Sequence, residues 1–153
     1  MRDSDIFDEA VGKLFKPIAN NAKLVMNRLE DGVYEISSPY CVMFIRLNTG
    51  HKRGLNVILK STRDENLADQ AYGLGNFVML EGRRLEEGIV ETNSDFLQEA
   101  EKFANETKTI AIPHLLGLKD DFEAVKEMVK KQTEEDVKKI EEYRFPKNVR
   151  KEW

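Results

Sequence analysis

Between Lys23 and Lys60 the chain has no room for a crossover helix. Four apolar-patterned runs sit there, Lys23–Leu29, Val33–Ser37, Tyr40–Leu47 and Leu55–Lys60, joined only by short turns. Parallel neighbours need a connection of about a dozen residues or more, so these runs predict a four-stranded antiparallel meander over residues 23–60. Asp31-Gly32 marks the first hairpin, because glycine accepts the positive φ that a tight turn demands. Ser38-Pro39 interrupts the ladder, since proline has no donor to give it. Tyr40–Leu47 is apolar on both faces: Cys41, Met43, Ile45 and Leu47 alternate with Tyr40, Val42, Phe44 and Arg46. That pattern predicts a central strand covered on both sides. The first hairpin strand and Leu55–Lys60 are then the expected edges.

Helical periodicity flanks this block. Ile6, Ala10, Leu14 and Ile18 recur every four residues and predict a helix over 4–21, with a kink or an early end at Pro17. A second helix, capped by Asn93 or Ser94, is predicted to run to Asn105, with Phe96, Ala100 and Phe103 inward. A long amphipathic helix is predicted over about 120–144, with a bend at Thr133–Asp136 and a stop at Pro146. Residues 61–92 read poorly: a short helix over Asp64–Tyr72, a break at Gly73–Asn76, a short apolar run at Phe77–Leu80, then a polar stretch. Strands and helices are segregated along the chain, which predicts an α+β fold. At 153 residues it is expected to form a single domain, 1–153, with 147–153 as a frayed tail.

Charge narrows the function classes. The formal net charge is −4, from 24 basic and 28 acidic residues, and both signs divide equally between residues 1–92 and 93–153. Neither part is the basic module that nucleic-acid binding favours, so nucleic acid is not an expected partner. No run approaches the ~20 apolar residues of a membrane span. A lone cysteine, Cys41, makes no internal disulfide, and the acidic start is not expected to act as a signal peptide. By elimination the expected location is cytoplasmic, away from membranes.

Few residues suggest chemistry. His51 and His114 are far apart in sequence and lack further ligands at metal spacing, so no metal is expected. Cys41 alternates with Met43 and Ile45 and reads as a small buried hydrophobe. Gly73-Leu74-Gly75 lacks the rest of a phosphate-loop pattern. The acidic pairs of the long helix alternate with lysines on its solvent face. No catalytic constellation and no cofactor emerge, and the chain reads as a non-enzyme. The most pointed surface feature is the loop Thr49–Gly54, where His51, Lys52 and Arg53 stand between two glycines. These three are the candidate residues for binding a partner or an anion.

Over residues 4–60, the opening helix, the Asp31-Gly32 hairpin and the Tyr40–Leu47 strand, with the acidic, charge-rich composition, resemble two groups of small bacterial proteins. One is the immunity-type proteins, which neutralise a toxin by binding it. The other is the dimeric type III secretion chaperones. The resemblance carries over no functional residue. The expectation is a protein-interaction domain with a protein partner, of inhibitor or immunity type. The alternatives are a small-ligand or nucleotide-binding domain using loop 49–54, and a secretion-chaperone-like dimer. A homodimer is compatible with each.

Overall fold

A computed structural model describes residues 2–48, 52–63, 67 and 70–144. In chain order, α1 (Asp3–Ala10) leads through a π-helical segment (Val11–Phe15) into α2 (Lys16–Asn21). The strands are β1 (Met26–Glu30), β2 (Val33–Ser37), β3 (Cys41–Leu47), β4 (Leu55–Ser61) and β5 (Ala71–Gly73). Then come α3 (Leu74–Leu80), α4 (Asn93–Glu106), a second π-helical segment (Thr107–Ala111), α5 (Ile112–Leu115) and α6 (Phe122–Arg144). The fold is α+β. Among the described residues, no helix is long and apolar enough to cross a membrane.

The strands form one antiparallel sheet in the order β1-β2-β3-β4-β5. The predicted meander is present, with one strand more than expected. β5 pairs Ala71, Tyr72 and Gly73 with Lys60, Leu59 and Ile58. A helix was expected over 64–72, where residues 64–66, 68 and 69 lie outside the described residues. Its end is strand, because Tyr72 follows the sheet's alternation rather than a helical stripe. The edges are therefore β1 and β5, and β4 is internal. Gly32 has a φ of +78°, the conformation that the Asp31-Gly32 turn demands.

Both prolines within helical stretches follow a π-helical segment. Pro17 sits in the first turn of α2, after Val11–Phe15, and Pro113 in that of α5, after Thr107–Ala111. Proline lacks the donor for the bond four residues back, and its ring crowds that carbonyl. A wider turn just before it relieves both problems, so the helical path continues. The early end expected at Pro17 does not occur, and the α4 path extends to Leu115.

One face of the sheet holds the core. Ile36, Cys41, Met43, Ile45, Val57 and Leu59 point inward and are at most 1 % exposed. They meet Phe7, Val11 and Phe15 from the first helical stretch and Phe77, Phe96 and Leu115 from the later ones. Each such side chain contributes ~1.5–3 kcal/mol on burial. α6 packs its first turns on α3 through Phe122 and Val125 and runs as one continuous helix to Arg144, through Thr133–Asp136.

Candidate functional site

The loop residues singled out from the sequence part ways. His51 lies outside the described residues, as do Thr49 and Gly50. Arg53 turns inward and acts as a staple. Its Nε donates to Asp3 Oδ1 (3.0 Å), Nη1 to the Glu91 carbonyl (2.9 Å) and Nη2 to Asn93 Oδ1 (2.7 Å), and its guanidinium lies 5.9 Å from the Phe96 ring centroid. It ties the start of α1 to the start of α4. Lys52 stays exposed and pairs with Glu87.

Glu87 belongs to a strap, residues 83–92, that has no regular secondary structure. Strap and flanks are pinned along their length. Arg83 forks onto Glu106 at 2.6 and 2.9 Å and reaches Glu81 at 2.8 Å, and these carboxylates hold its guanidinium pKa above the usual value. The Gly88 N–H donates to Glu99 Oε1, while Glu99 Oε2 is buried without a hydrogen-bond partner among the described residues. At the end of the strap, Thr92 caps α4 reciprocally with Asp95. Hydrogen bonds from the Thr92 and Glu91 N–H groups lower the Asp95 pKa. The sequence had offered Asn93 or Ser94 as this cap. The Thr-x-x-Asp spacing was the signal for the true one.

Between strap, loop, α3 and the outer side of β4 lies an open groove of about 800 Å³. Asn48, Asn56 and Asn76 bring three carboxamides to it, and Lys52, Arg84 and Glu87 bring charge. Gly73 and Gly75 form part of its wall with Ile58, Met79 and Leu85. The Gly73–Asn76 break thus proves to be a strand-to-helix junction. The carboxamides went unread because an isolated asparagine in a loop or strand looks like ordinary turn chemistry.

The groove opens onto the outer face of the sheet, which is the second feature of note. Val33, Val42, Phe44 and Ile58 point outward, stay only partly buried and are not members of the core. β3 is central, as predicted, but the helices cover it on one side only. Phe44, on the second face that was expected to be covered, is on the open side, with the Arg46 guanidinium 5.4 Å from its ring centroid. A further cleft of about 590 Å³ at the β1–β2 turn shares Val33, Phe44 and Arg46.

Two other side chains with chemical potential are structural. His114 is 1 % exposed. Its Nε2 accepts the Asp121 N–H (3.2 Å), so Nδ1 carries the proton and donates to the Ile110 carbonyl (2.8 Å). The ring packs edge-on against Phe77 and Phe122. Cys41 is fully buried, and burial pushes its thiol pKa up to about 12, so it is neither an accessible nor an ionised nucleophile at neutral pH. Compared with known proteins, the chain matches no family model, no curated protein and no solved structure.

Proposed function

We propose that this chain is a non-enzymatic protein-interaction domain that binds a protein partner through the outer face of its sheet. The observation that carries this reading is the composition of that face. Phe44 and Arg46 stand at its centre, flanked by Val33, Val42 and Ile58 and ringed by Glu35, Asn56 and Lys60. An aromatic and an arginine surrounded by partly exposed aliphatic residues and a polar rim is the make-up of an interface hot spot. A specific complex buries ~1,200–2,000 Å² in total, and an open sheet face with its two clefts offers a surface on which such a footprint fits. The burial of Cys41 and the internal use of both His114 nitrogens favour binding over catalysis. The immunity-type resemblance adds a class of partner, a toxin enzyme that the bound domain blocks.

The test is capture of a stoichiometric partner by the tagged protein, followed by the same capture with Phe44→Glu, Arg46→Glu and Ile140→Glu. Loss of the partner with the two sheet variants, and its retention with the variant on distant α6, is the expected result. Retention by all three places the interface elsewhere. No partner for the parent protein removes the reading.

A further inference from the structure

The groove between strap and β4 has a chemistry that the partner surface does not explain. Its lining holds two cations, Lys52 and Arg84, and one acid, Glu87, on a chain whose overall charge is −4. Arg84 forms no ion pair among the described residues, whereas its neighbour Arg83 is fully engaged by Glu81 and Glu106. Lys52 already holds a carboxylate, that of Glu87, which closes the ion pair from the strap side. The three carboxamides each offer a donor and an acceptor that do not titrate. Ile58, Met79 and Leu85 add apolar wall, and the two glycines place bare backbone along the groove. The volume, about 800 Å³, falls inside the ~300–1,000 Å³ range of small-molecule sites, where a few polar groups on an apolar wall fix the ligand.

We propose that this groove binds a small organic anion, a carboxylate or phosphate ester. Its charge lies between Lys52 and Arg84, and its polar edges pair with the carboxamides of Asn48, Asn56 and Asn76. Glu87 is the internal competitor: the ligand's anionic group takes the place of its carboxylate on Lys52. Arg84 then supplies the attraction, and Glu87 sets how much of it is lost to the internal pair. The groove adjoins the partner surface and shares Asn56 and Ile58 with it, but small probes on the free chain read it without any partner, so the two proposals are tested separately.

The experiment is an NMR titration of the isotope-labelled full chain, read at the side-chain amides of the three asparagines. Citrate, adenosine monophosphate and inorganic phosphate are the probes. Citrate or adenosine monophosphate is expected to move these signals saturably, and inorganic phosphate, too small to span the carboxamides, to bind more weakly. Arg84→Glu is expected to weaken the tighter probe about 10-fold or more, and Glu87→Gln to tighten it about 3-fold. The remaining backbone signals report whether each variant is folded. Four results overturn the proposal: no saturable shift at these amides up to about 10 mM of either organic anion; binding indifferent to Arg84→Glu; binding weakened by Glu87→Gln; or inorganic phosphate binding as tightly as both organic anions. A captured protein partner whose acidic segment fills the groove would assign it to that macromolecule instead.

Discussion

Arg53 Nη2 donates to Asn93 Oδ1 at 2.7 Å, across 40 positions of sequence. With its bonds to Asp3 and the Glu91 carbonyl, this one guanidinium joins the start of α1, the end of the strap and the start of α4. Arg53→Ala is expected to cost about 1–3 kcal/mol in urea denaturation, since hydrogen bonds to charged groups contribute ~1.5–3 kcal/mol each and solvent screens part of that here. Arg53→Lys rescues little, because an ammonium does not reproduce the three-way fork. Lys52→Ala, which removes only an exposed pair, stays within about 0.5 kcal/mol.

Gly117 combines a φ of +75° with a crowded neighbour: a Cβ there would lie 2.7 Å from Cζ of Tyr40. The Tyr40 ring also carries the Arg63 guanidinium at 4.3 Å from its centroid, which limits how it moves. Gly117→Ala therefore meets both backbone strain and a ring clash. The expected loss is about 1–3 kcal/mol, seen as a lower midpoint in thermal unfolding. Gly82, also at positive φ but with open space around it, supplies the comparison: Gly82→Ala carries the strain alone and costs less.

His114→Phe tests whether the buried imidazole matters for its nitrogens or its bulk. Phenylalanine keeps an aromatic ring against Phe77 and Phe122 but leaves the Asp121 N–H without its acceptor and the Ile110 carbonyl without its side-chain donor. A loss of about 2–4 kcal/mol by chemical denaturation is expected, with early hydrogen exchange at the start of α6. A neutral outcome would reduce His114 to a space-filler.

Cys41 gives the stability a signature in alkali. In the unfolded chain its thiol ionises near the ordinary value of 9.0, whereas in the folded protein burial pushes this to about 12. Between those values the unfolded state binds fewer protons, so stability, full below pH 9, falls as pH rises and levels off above 12. The slope contributed approaches about 1.4 kcal/mol per pH unit. Cys41→Ala should lower stability at pH 8 through lost packing, yet the gap from the parent should narrow by pH 11. A constant gap would contradict the buried, protonated thiol.

Asp95 acts in the opposite direction. Its pKa is lowered by N–H bonds from Thr92 and Glu91, so its contribution is present above the unfolded carboxylate value near 3.8 and is lost as pH falls through the lower folded value. Asp95→Asn should flatten that part of the acid-unfolding curve and loosen the start of α4, measured as faster exchange at Asp95 and Phe96.

Much of the architecture was legible because it rests on local rules. The alternation of Cys41, Met43 and Ile45, the Asp31-Gly32 turn and the short links dictate an antiparallel meander whatever surrounds it. The stripes of Phe96, Ala100 and Phe103, and of Phe122 and Val125, likewise specify helices with one buried side. β5 escaped because three residues are too few for a period, and α3 because seven residues barely make two turns.

The sequence by itself determined the α+β class, the position of the Asp31-Gly32 turn and the buried state of Cys41, since each depends on neighbours along the chain. Only the tertiary structure decided which face of β3 is covered, that Arg53 is a staple while Lys52 borders a groove, and that Asn48, Asn56, Asn76 and Arg84 converge. Those outcomes depend on groups brought together from distant segments. Alternation says that a strand has two apolar faces, but only the number of helices and where they pack decide how many of those faces meet a partner within the same chain.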